Sequence, residues 1–152
     1  MLGAVAGDII GSPYEWNNTN YRFFELCRGT RGWFRGREMT FHPKFTDDTV
    51  MTLAIARWLM SDNDKNASRL ISIMQSMGRE YIDRGFSPMF KRWIQSDNPR
   101  PNNSYGNGAA MRVSPVAMTA HSLPEAITLA RMTSALLCRT TSDMTLAYRK
   151  KI

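Results

Sequence analysis

The chain has 152 residues, the length of one ordinary domain. Hydrophobic residues make up 43% and charged ones 22%, close to globular usage, which excludes wholesale disorder. Twenty Lys and Arg against thirteen Asp and Glu give a formal charge of +7, which favours anionic partners without choosing among nucleic acid, a phosphate-bearing small molecule and an acidic membrane surface.

Two cysteines, Cys27 and Cys138, are too few for a disulfide framework and read as reduced thiols. The opening ten residues are apolar but lack a positive start, and Asp8 interrupts them, so no export signal is read. No apolar run approaches the roughly 18–20 residues of a spanning helix. The expectation is a soluble, cytoplasmic protein with no membrane partner.

In chain order, Gly3-Ala4-Val5-Ala6-Gly7-Asp8-Ile9-Ile10 reads as a helix whose small residues permit close packing, and Gly11-Ser12-Pro13 ends it ahead of Glu15. Glu15 is then either a solvated acid or a carboxylate on a movable loop beside an active centre; spacing does not separate the two. The segment 28–37 interleaves Arg28, Arg31, Arg35 and Arg37 with glycine and aromatics. It reads as a solvated basic loop, with single-stranded nucleic-acid binding as the disfavoured alternative.

Residues 46–60 carry Val50, Met51, Leu53, Ala54, Ile55, Trp58 and Leu59, the wide apolar face of a nearly buried helix. That helix opens on Thr46-Asp47-Asp48-Thr49. An acidic first turn that complements the helix dipole accounts for part of this. Four hard oxygen donors in one turn also suit Mg²⁺; on this segment alone the capped helix is the favoured reading and the metal site the alternative.

Residues 67–81 place Leu70, Ile71, Ile73, Met74, Met77 and Tyr81 at spacings of three and four, an amphipathic helix. Ser87-Pro88 caps a further helix through Ile94. Residues 61–64 and 95–103 read as loops. Ser104-Tyr105-Gly106-Asn107-Gly108 precedes a small-residue helix and is either a structural turn or a phosphate-binding loop; Met111 stands where a dinucleotide fingerprint needs its third glycine. Ser122-Leu123-Pro124-Glu125 opens a last helix through about Leu137 with a capping box. Alternating strand patterns are scarce, so the fold class is all-α. The eleven methionines read as core filler rather than metal ligands.

Three segments in this order resemble the ADP-ribosylglycohydrolase family, which includes dinitrogenase reductase-activating glycohydrolase: Gly7-Asp8 through Glu15-Trp16, Phe45-Thr46-Asp47-Asp48-Thr49-Val50-Met51-Thr52-Leu53-Ala54, and Tyr105-Gly106-Asn107-Gly108-Ala109-Ala110-Met111-Arg112. The likeness runs from residue 1 to about 136. It implies the N-terminal portion of a helical bundle that binds two Mg²⁺ (sometimes Mn²⁺) and hydrolyses the bond joining ADP-ribose to an acceptor. By that resemblance Thr46, Asp47 and Asp48 are metal ligands, Glu15, Asp47 and Asp48 serve catalysis, and Ser104, Tyr105, Gly106, Asn107 and Gly108 surround the diphosphate and ribose. The substrate is an ADP-ribosylated protein or another ADP-ribose derivative.

The resemblance also implies a second acidic motif, Asp-x-Asp-Thr or Asp-x-Asp-Ser, which this sequence lacks. Ser142-Asp143-Met144-Thr145 offers a single carboxylate, and the basic tail 137–152 leaves the family pattern. The expectation is therefore a shortened member with an incomplete metal centre and reduced activity. A non-catalytic ADP-ribose- or nucleotide-binding module using Tyr105, Gly106, Gly108 and Arg112 is the alternative. Half of a larger bundle should also self-associate, through Leu70, Met74 and Met77 or through Leu129, Met132 and Leu136.

Overall fold

The computed structural model describes residues 1–15, 30–34, 37–61, 65–101 and 106–136. Ser104, Tyr105, both cysteines and the tail 137–152 lie outside them. Six α-helices carry the described fold: α1 Leu2–Gly11, α2 Asp47–Leu59, α3 Ala67–Glu80, α4 Pro88–Gln95, α5 Ser114–Thr119 and α6 Leu123–Ala135. The all-α class expected from the sequence is what the helices make.

Helix α2 is the hub. Nine of its residues are buried, among them Met51, Ala54, Ile55 and Trp58 at 0% exposure. Burying aliphatic and aromatic side chains of this size stabilises by about 1.5–3 kcal/mol each, so the helix is held by apolar contact around most of its circumference. Helices α3 and α5 pack directly on it, α4 packs on α3, and α6 on α5. Leu70, Ile73 and Met74 of α3, Trp93 and Ile94 of α4, Val116 of α5 and Leu129 of α6 complete the core.

The helix ends follow their capping residues. Thr46, Asn66, Ser87 and Ser122 each accept a backbone N–H from the first turn they precede. The Glu125 carboxylate reaches back to the His121 N–H at 2.8 Å, one residue before the usual capping-box partner. At the far end of α4, Gln75 Nε2 donates to the carbonyls of Trp93 (3.1 Å) and Ser96 (2.8 Å), and Arg79 Nε donates to that of Ile94 (3.0 Å). The Trp93 carbonyl also takes the Ser96 N–H at 3.3 Å; carbonyls of a last helical turn lack their usual partner four residues on, and side chains of α3 help to satisfy them.

Three expectations change. Part of the basic segment is not a loop: Thr30–Phe34 (β1) and Arg37–Phe41 (β2) form an antiparallel hairpin, with Trp33 opposite Glu38. The cross-strand ladder supplies order that an arginine-and-glycine composition does not advertise. The faces expected to lie uncovered are covered within the chain: Leu70 and Met74 are fully buried and Leu129 nearly so, while Met77, Met132 and Leu136 pack against the same core. Helix α1 is not closely packed through its small residues. None of its ten residues is buried, and a Cβ added at Gly3, Gly7 or Gly11 meets nothing within 4 Å.

Candidate metal centre and glycine turn

Helix α1 turns its only polar side chain inward. Asp8 and Ser12, four residues apart and so on one helical face, meet the strand-like segment that enters α2. The Lys44 N–H donates to Ser12 Oγ at 3.0 Å. Asp8 takes four hydrogen bonds: Thr46 N–H to Oδ2 at 2.8 Å, Thr46 Oγ1 to Oδ1 at 2.6 Å, Thr49 N–H to Oδ2 at 3.3 Å, and Thr49 Oγ1 to Oδ2 at 2.5 Å. Both threonines are buried. Thr46 Oγ1 in turn accepts the Asp48 N–H at 3.3 Å, as the N-cap of α2.

Between these caps stand Asp47 and Asp48, half-buried in the first turn. The Asp47 backbone N–H donates to the Arg84 carbonyl at 2.7 Å. Gly85, at φ +101°, lies so close that a Cβ there would sit 3.0 Å from Asp47 Oδ1. Burial first, then the charge of Asp48, and more weakly those of Glu15 and Asp8, push the Asp47 carboxyl up to about 6, against a backbone hydrogen bond that pulls it down. The helix dipole favours an acid at this position; the neighbouring carboxylates and desolvation outweigh it. Glu15, exposed at the end of the 3₁₀ turn Ser12–Tyr14, is thus within electrostatic reach of Asp47.

Thr52 is one helical turn beyond Asp48, on the same side of α2. Its hydroxyl donates to the Met111 carbonyl at 3.2 Å. Met111 lies two residues beyond the 3₁₀ turn Asn107–Ala109, whose Asn107 carbonyl takes the N–H groups of Ala110 and Met111 at 2.9 and 3.0 Å. The acidic helix start and the glycine turn are therefore tied to successive turns of one helix. Arg112 is fully buried, and its Nη2 donates to the Thr133 carbonyl of α6 at 2.8 Å. It braces the turn from behind, so the expectation that Arg112 reaches a ligand is set aside.

The donor chemistry suits a hard divalent cation in kind. Thr46 Oγ1 and two carboxylates are oxygen donors on one turn, and burial among like charges leaves Asp47 wanting a positive partner. In number they are few: among the described residues no three His, Cys, Asp or Glu side chains stand together as a metal-holding group. Mg²⁺ tolerates this, because it commonly takes one or two carboxylates and keeps several waters.

The described residues thus form a helical scaffold with an acidic helix start and, tied to the next turn of the same helix, a glycine turn. The family model for ADP-ribosylglycohydrolase matches residues 1–142, and the chain belongs to that family. It is similar to ADP-ribosylhydrolase ARH3 of Xenopus tropicalis, 28% identical over 156 residues, covering 93% of this chain and 44% of that protein. ARH3 of Mus musculus and of Homo sapiens are each 28% identical over 164 residues, covering 90% of this chain and 42% of theirs. The chain thus spans less than half the length of these curated relatives. No helix among the described residues is long and apolar enough to cross a membrane.

Asp8 stands in the Gly7-Asp8 part of the family match, but the sequence alone gives its side chain no role. Its signal is the interruption of an apolar run: a lone carboxylate in a ten-residue helix otherwise without polar side chains needs hydrogen-bond donors.

Proposed function

We propose that this chain contributes Thr46, Asp47 and Asp48 to a Mg²⁺- or Mn²⁺-dependent site that hydrolyses the glycosidic bond between ADP-ribose and its acceptor, as the names of its relatives suggest. A bound divalent ion would supply Lewis acidity and orient ribose hydroxyls or water. Asp47 and Asp48 hold it, and the cluster's negative charge favours the oxocarbenium-like transition state of glycoside cleavage. Glu15, on a 3₁₀ turn rather than a long helix, orients the attacking water or takes its proton. Gly106, Asn107 and Gly108, with Ser104 and Tyr105 before them, receive the diphosphate and ribose, the role that the family resemblance gives this segment.

The observation that supports this most is the Asp47 carboxyl, raised to about 6 by burial and by the adjoining charge of Asp48, and more weakly by Glu15 and Asp8. Like charges held together and partly desolvated are costly to a fold unless a cation joins them. The test is Mg²⁺-dependent release of ADP-ribose from an ADP-ribosylated protein by the wild type, Asp47→Ala and Asp48→Ala. Turnover in the wild type and at least a 100-fold loss in each variant is expected; equal rates in all three overturn the assignment.

A second reading is a non-catalytic ADP-ribose- or nucleotide-binding module. The shortage of converging acids among the described residues favours it. Heat of ADP-ribose binding without hydrolysis would select it, and no heat at millimolar ligand would remove it.

A further inference from the structure

The four bonds into Asp8 do more than fasten two helices. An ionised carboxylate only accepts, so the hydroxyl protons of Thr46 and Thr49 both point at Asp8. The Thr46 oxygen then has its lone pairs turned the other way, where one meets the Asp48 N–H. A neutral hydroxyl binds a cation through a lone pair, never through its proton. Left to itself, Thr46 would be free to turn its proton toward the acidic side chains of the same turn.

We propose that Asp8 is a positioning residue of the metal site: by holding the Thr46 proton it fixes that hydroxyl as an oxygen donor beside Asp47 and Asp48. This rests on the metal-site reading above and goes one shell further out. Groups that orient metal ligands commonly change affinity by 10–100-fold when altered.

The bonding pattern selects the test. Oδ2 receives three donors, two of them backbone N–H groups that cannot reverse. In Asp8→Asn the amide oxygen must therefore take the place of Oδ2, which puts the NH₂ group against Thr46 Oγ1. Three of the four bonds survive, and the fourth is inverted: the amide donates to the threonine oxygen and occupies the lone pair. Thr49→Val is the counterpart, removing one bond from the same carboxylate while leaving Thr46 as it is.

Mn²⁺ binding is measured by titration calorimetry alongside the melting temperature, for the wild type and both variants. The expected result is Mn²⁺ affinity reduced about 10–100-fold in Asp8→Asn with a melting temperature close to the wild type. Thr49→Val should lose thermal stability and keep Mn²⁺ affinity within about threefold. Wild-type affinity in Asp8→Asn, or affinity that falls in step with stability in Thr49→Val, would overturn the positioning role while leaving the metal site standing. Absence of Mn²⁺ binding in the wild type would remove the metal site itself and this inference with it. Should Asp8→Asn fail to fold, the Thr49→Val comparison still decides between a positioning residue and a clamp.

Discussion

Helices α1 and α2 both read as apolar for most of their length, and the chain uses them in opposite ways. Helix α2 has nine buried residues and α1 has none. The first is held by apolar contact on most sides. The second touches the rest of the chain mainly along Val5, Asp8, Ile9 and Ser12, and its firm bonds are polar ones, to Asp8 and Ser12. Its outer surface keeps Leu2 at 88% and Ile10 at 49% exposure. An apolar sequence therefore says that a helix would benefit from burial, not that it is buried. What shows where α1 belongs is the single charge it turns inward.

The contrast is open to direct attack. Ile55→Ala in α2 should cost about 2–5 kcal/mol, because it empties a fully enclosed site. Leu2→Ala or Ile10→Ala in α1 should stay within about 0.5 kcal/mol. Urea denaturation measures both, and a loss above about 2 kcal/mol for Leu2→Ala would mean that the outer face of α1 is covered in solution. A smaller effect sharpens the other side. Gly85 has φ +101°, and its missing Cβ leaves room for Asp47 Oδ1. Gly85→Ala should cost about 1–2 kcal/mol in backbone strain and push the Asp47 carboxylate aside. A melting temperature equal to the wild type would show that the loop relaxes freely and does not shape the acid's position.

Much of this arrangement is legible in the chain itself. Helices α2, α4 and α6 begin at the caps their sequences announce, Thr46, Ser87 and Ser122, because capping is a local interaction between a side chain and the next turn. The pairing of Thr46, Asp47 and Asp48 with the turn at Asn107 is not local. It depends on Thr52 meeting Met111 across 59 residues, and the motifs suggested it only through family resemblance. Two features escaped for physical reasons. The hairpin's order lies in backbone pairing between β1 and β2, which arginine and glycine side chains do not signal. The role of Arg112 escaped because a long cation beside a glycine turn looks the same in sequence whether it faces a ligand or, as here, a buried carbonyl of α6.

The subtlest prediction concerns the charge that α2 carries at its start. In the folded chain the Asp47 carboxyl is raised from 3.8 to about 6, chiefly by burial and by Asp48. Between those two values the folded state binds more protons at this group than the unfolded state does. Stability from this residue must therefore fall as pH rises from about 4 to 6, and the full penalty persists above 6. Part of the side chain remains wet, so the penalty is on the order of 1 kcal/mol rather than the whole of the shift. Asp47→Asn keeps the shape and removes the charge. Without divalent metal it should melt a few degrees higher than the wild type at pH 7.5 and lose that advantage below about pH 4. Millimolar Mg²⁺ should reverse the order by stabilising the wild type alone, since the variant has given up a ligand. If the two proteins melt together across the whole pH range without metal, the Asp47 charge is already balanced within the fold, and the start of α2 has no need of a cation.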